Sequence, residues 1–184
     1  MGVARGNPAE RSAGRDAELP VALGMANVGF YTASIGVVLV VLADDLGVPA
    51  ERLSWLGSAF GYGLLVMAVA GPSLLRLGQR QVLTGSAIVL GVGSALLAVV
   101  PGEAVAYLGA LLQGLGAAGI VLVAPRLLHG PDAEIALTRA NSVASVVAVA
   151  APLLLGVAAA TAIGARPALL LIVAAVVALL VAAR

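Results

Sequence analysis

In a chain that is 61% hydrophobic and 10% charged, the residues able to do chemistry are the few polar side chains set inside long apolar runs. Asn27, Tyr31 and Ser34 follow one another at i, i+4 and i+7, which places them on one stripe of a helix. Gln113 stands in another such run. In a bilayer, polar side chains are costly enough to face a bundle interior or a wet cavity. Asn27, Tyr31 and Gln113 are therefore candidates to hydrogen-bond a small solute or its water. The competing role is hydrogen bonding between helices. No Asp, Glu, Lys, Arg or His lies in the middle of an apolar run, so no proton relay is legible. Cysteine is absent and His129 is the only histidine, which leaves no metal-ligand set and no cofactor chemistry. His129 also sits in a connector, away from any serine at membrane depth, so a serine–histidine hydrolase is not expected. The chain does not read as an enzyme.

The elements that must position these residues follow from composition. A soluble domain carries roughly 25% charged residues to keep its surface solvated. A transmembrane helix needs about 20 mainly apolar residues. Six stretches qualify: Val21–Ala43, Ser54–Leu75, Val82–Val100, Ala104–Pro125, Asn141–Ile163 and Pro167–Ala183. Between them lie turn formers and nearly every charge, as in Pro101-Gly102-Glu103 and His129-Gly130-Pro131-Asp132. The expectation is an all-α membrane protein, with residues 1–20 a disordered cytoplasmic tail and 21–184 a six-helix transmembrane domain. The first run is too long for the core of a cleaved signal and is read as a retained span. Asn7-Pro8-Ala9 spells a channel signature, but it lies in the charged tail and has no second copy.

Arginine bias sets the expected orientation, because cytoplasmic loops retain positive charge. With the N-terminus inside, Arg5, Arg11, Arg15, Arg76, Arg80, Arg126, Arg139 and Arg184 fall inside, and only Arg52 and Arg166 fall outside. Eight against two predicts a multi-pass protein of the cell (inner) membrane with both termini cytoplasmic. Trp55 and Tyr107 open the second and fourth spans at the outer face, where amphipathic rings favour the headgroup layer. The acids Asp44, Asp45 and Glu103 at that face read as solvated helix ends, with cation gathering as the alternative. The basic residues serve orientation, and no nucleic acid partner is expected.

The inner connector between the second and third spans reads Gly71-Pro72-Ser73-Leu74-Leu75-Arg76-Leu77-Gly78-Gln79-Arg80. It resembles the Gly-x-x-x-Asp-Arg-x-Gly-x-Arg found at this place in major facilitator superfamily transporters. Gly71, Arg76, Gly78 and Arg80 match, and Leu75 replaces the acid. Leu46-Gly47-Val48 with Leu53-Ser54-Trp55 is similar to the first outer loop and second helix of the family's drug exporters. The Gln113-Gly114-Leu115-Gly116 region looks like their fourth helix, with Ala110 where an arginine is usual. Pro152 and Gly156 resemble the Gly-Pro-x-x-Gly-Gly of the fifth, and Arg166 sits where the sixth opens.

The resemblance covers six spans in order and so matches an N-terminal half of a twelve-helix transporter. It implies two inverted three-helix repeats, with the first and fourth helices lining a substrate cavity. It implies that Gly71, Arg76, Gly78 and Arg80 serve gating and topology. It also implies that the second and fifth spans meet the other half. Gly57 and Gly61 give the second span a small-x-x-x-small surface, and Pro152 and Gly156 are expected to bend or thin the fifth. The sixth span is apolar all round and suits lipid. Expected partners are the bilayer, a small-molecule substrate and a second six-helix unit, most simply in a homodimer. Alternatives are a non-transporting assembly subunit and a truncated transporter fragment.

Overall fold

A computed structural model describes residues 8–99, 101–128, 132–161 and 169–182. Arg5, Asn7, His129, Gly130, Pro131, Arg166, Pro167 and Arg184 lie outside the described residues. The helices are α1 (Pro8–Leu46), α2 (Ala50–Leu53), α3 (Leu56–Leu74), α4 (Gln79–Val99), α5 (Glu103–Leu127), α6 (Ala133–Ala159) and α7 (Leu170–Ala182). A 3-10 turn over Leu75–Leu77 joins α3 to α4. There are no strands among the described residues. Five helical stretches are long and apolar enough to cross a membrane, the build of a multi-pass membrane protein. The sixth expected span corresponds to α7, described over 13 residues.

Boundaries depart from expectation where polar sequence is also good helix former. α1 reaches back to Pro8, so the described part of the expected disordered tail is helical. Ala9, Glu10 and Arg11 are residues that favour helix, which carries the element into the polar tail. α6 likewise starts at Ala133, eight residues before the expected Asn141. The hydropathy pattern marked where the apolar face begins, not where the helix does. α6 runs as one continuous helix through Pro152 and Gly156.

The turn after α1 is written in its sequence. Gly47 adopts φ +63°, Val48 N–H donates to the Ala43 carbonyl at 3.0 Å, and Gly47 N–H donates to Asp44 at 3.1 Å. This is a Schellman closure, which a left-handed glycine makes easy. Pro49 precedes α2, and a two-residue link after Leu53 leads into α3.

The helices pack as a square with two outriggers. α1, α5, α4 and α7 form the square, each touching the next in that order and α7 returning to α1. α3 hangs mainly on α5, and α6 mainly on α1. Small residues set this arrangement, because van der Waals contact replaces the hydrophobic effect between helices in lipid. α5 is buried on most sides through Ala106, Gly109, Ala110, Gly114, Gly116, Ala117 and Gly119. An outrigger buries a single stripe: Leu56, Phe60, Gly63 and Gly71 in α3, and Ala140, Ala151 and Leu155 in α6.

Candidate functional site

The stripe on α1 lies inside the bundle. Asn27, Tyr31 and Ser34 are 3%, 1% and 0% exposed. Asn27 Nδ2 donates to the Leu23 carbonyl one turn back at 2.9 Å. The Tyr31 ring tilts against Phe60 of α3, centroids 5.2 Å apart and planes at 45°, a favourable aromatic geometry. The hydroxyls of Tyr31 and Ser34 have no hydrogen-bond partner among the described residues.

Gln113 is fully buried on α5 but turns to a different neighbour. Its Nε2 donates to Ser94 Oγ of α4 at 2.7 Å, and Ser94 Oγ donates to the Leu90 carbonyl at 2.9 Å. Its Oε1 has no partner among the described residues. Thus Tyr31 faces α3 and Gln113 faces α4, and no hydrogen bond joins Asn27, Tyr31 and Gln113. Among the described residues a groove of about 650 Å³ lies between α1 and α6, lined by Glu18, Leu19, Ala22, Arg139, Ser142 and Val143.

The connector from α3 to α4 divides into one packed residue and an exposed loop. Gly71 is buried, and a Cβ there would strike the Leu122 side chain of α5. Gly78 has φ +110°, a conformation L side chains rarely adopt, so glycine fixes the turn. Arg76 and Arg80 are exposed on either side of it.

Gly57 and Gly61 are exposed on α3, and an added Cβ at either would meet nothing within 4 Å. Gly156 is also exposed with open space around it, and Pro152 is half-buried. Among the described residues nothing comes within 4 Å of a Cβ at Gly57, Gly61 or Gly156. On α7, Val177 and Val181 are exposed, while Val176 and Leu179 pack against Gly91 of α4 and Gly24 of α1.

Several contacts are not visible in one sequence. Gly63 and Gly114 bring α3 and α5 to backbone contact: a Cβ on Gly114 would lie 3.1 Å from the Gly63 Cα and would strike the Phe60 carbonyl oxygen. Gly93 and Gly109 do the same for α4 and α5, where either Cβ would meet the other residue's carbonyl oxygen at 2.6 to 2.9 Å. The glycine density of the fourth span was the available signal, but the partner positions require a fold. Two ion pairs among the described residues are likewise not legible in the sequence. Arg52 Nη1 lies 3.2 Å from Glu103 Oε1, and Arg139 Nη1 lies 3.4 Å from Glu18 Oε1. The Tyr107 hydroxyl adds a hydrogen bond to the Arg52 carbonyl.

Comparison with models of known protein families finds no match, and comparison with curated proteins finds none either.

Proposed function

We propose that the chain is a solute-transporting membrane unit that works by alternating access with a second six-span unit, most simply another copy of itself. The observation that carries this reading is the pairing of its helices. Exchanging the first three spans for the last three turns α1–α6 into α5–α3 and α4–α5 into α7–α1, while α1–α5 and α4–α7 map onto themselves. Each main packing pair has a counterpart, as expected of two repeats inserted in opposite directions. The sequence resemblance to one half of a major facilitator transporter points the same way.

Polar groups on the outriggers support a covering partner. Ser58 and Tyr62 on α3, and Ser142 and Ser145 on α6, are exposed. Polar side chains within a bilayer favour protein or a wet cavity over lipid. In this reading α3 and α6 meet the second unit, with Gly57, Gly61, Pro152 and Gly156 on the junction. Arg76 and Arg80 fasten the inner gate, and both termini are cytoplasmic, a reading that the arginine bias supports.

A second reading is a non-transporting assembly subunit. The burial of Asn27, Tyr31 and Gln113 favours it, since their hydrogen bonds and ring contacts fit helix packing better than solute contact. One experiment separates the two. The purified chain is reconstituted in liposomes loaded with ethidium and radiolabelled sorbitol, and its oligomeric state is measured in the same membranes. Efflux above that of empty liposomes, from dimers, supports transport. Dimers that pass neither probe favour the assembly subunit, and monomers that pass neither overturn the half-transporter reading.

A further inference from the structure

Two attachments in this chain repeat each other at opposite ends of the bundle. In one, Glu18 of α1 pairs with Arg139 near the start of α6 at 3.4 Å. In the other, Glu103 at the start of α5 pairs with Arg52, just before α3, at 3.2 Å. Each acid opens the apolar part of a helix of the square; Arg139 lies six residues into α6, and Arg52 lies in α2, four residues before α3. Their settings agree: both glutamates are 34% exposed, and the arginines are 70% and 65% exposed.

The match continues along the helices. Eleven residues after Glu18 stands Gly29, and eleven after Glu103 stands Gly114. Eleven residues make about three turns, so each glycine lies on the same side of its helix as its glutamate, about 16 Å further along. A Cβ on Gly29 would strike the Ala144 carbonyl oxygen of α6, and one on Gly114 would strike the Phe60 carbonyl oxygen of α3. Along its packed stripe each outrigger therefore has an ion pair at one end and, further in, a glycine of the square against its backbone.

The two points differ in kind. Backbone contact at glycine is fixed by shape, whereas an exposed ion pair is weak and exchanges readily with water. We propose that each outrigger pivots on its glycine contact and is latched by its ion pair, so that α6 swings from α1 at the Arg139 end and α3 swings from α5 at the Arg52 end. The latches are unequal. Four residues after Glu103, Tyr107 adds its hydrogen bond to the Arg52 carbonyl. Four residues after Glu18 stands Ala22, which lines the groove beside Arg139. The Arg139 end is the easier one to open.

The test uses the absence of native cysteine. A single cysteine replaces Ala22, the protein is placed in nanodiscs, and its rate of labelling by a charged maleimide is measured. Glu18→Gln or Arg139→Gln should each raise that rate about two- to fivefold, the scale of an exposed ion pair. The charge swap E18R with R139E should return it to the parent rate, and Arg52→Gln should leave it unchanged. Single variants that label at the parent rate, a swap that labels as fast as the singles, or an equal rise with Arg52→Gln would each overturn the latch. No transport measurement enters, so the outcome is separate from that of the transport reading.

Discussion

Gln113 Nε2 stands 2.7 Å from the Ser94 hydroxyl, the buried polar tie between α5 and α4. Because both residues are fully buried, neither can turn to water if the other is removed. Ser94→Ala should destabilise the fold by about 1 kcal/mol, within the range of interhelical hydrogen bonds in membranes. Adding Gln113→Leu should recover part of that loss, since it removes the stranded amide. Unfolding in graded SDS measures both, and a double variant whose loss equals the sum of the two singles would show that the tie carries no energy.

Glycines on α3 should separate into two classes. Gly63→Ala drives a methyl group into the α5 backbone near Gly114, and Gly114→Ala does the reverse, so each should cost about 1–3 kcal/mol as overpacking. Gly57→Ala and Gly61→Ala meet open space and should leave the single copy unchanged or stabilise it by up to about 1 kcal/mol. Thermal midpoints of the four variants in one detergent check the division.

The proposed pairing of two copies makes a positional prediction. Single cysteines at Gly57, Gly61 or Ala148 should form dimer bands under oxidation in membranes, because Gly57 and Gly61 are exposed and Ala148 is partly so. Cysteine at Val177, also exposed but on α7, should not. Efficient cross-linking from α7 with none from α3 or α6 would place the interface on the wrong side.

Topology can be read independently. Reporter fusions after Asp45, Gly78, Gly102 and Gly130 should alternate out, in, out, in, following the arginine bias. Replacing Arg76 and Arg80 together by Gln should weaken the orientation of the α3–α4 connector, seen as a mixed signal from the Gly78 fusion. An outside signal from Gly78 in the native chain contradicts the orientation.

Periodicity exposed most of the helices but few of their contacts. The runs around Asn27 and Gln113 were legible because lipid demands unbroken apolar length, and the α1 stripe was legible because polar residues must turn inward. Which neighbour each would meet was not legible: Tyr31 and Gln113 read as one cluster, yet they face α3 and α4. The small-residue rule found Gly57 and Gly61, which the chain leaves open, and passed over Gly63, which it uses. Spacing within one helix cannot tell a face that meets its own fold from one left bare. The Glu18–Arg139 pair was hidden for a related reason, since its members are 121 residues apart and each looks like a solvated helix end.

The unequal lengths of α1 and α4 give the lipid a hold on this molecule. Between Glu18 and Asp44, α1 offers about 37 Å of uncharged helix at 1.5 Å per residue, while α4 beyond Arg80 offers about 28 Å. A bilayer core of about 30 Å suits α4 standing upright and suits α1 only if it leans or the membrane swells around it. Acyl-chain length thus changes the mismatch that α1 must absorb. Because α6 packs mainly on α1, hydrophobic thickness would, under the proposed latch, bear first on the outrigger held by the Glu18–Arg139 pair.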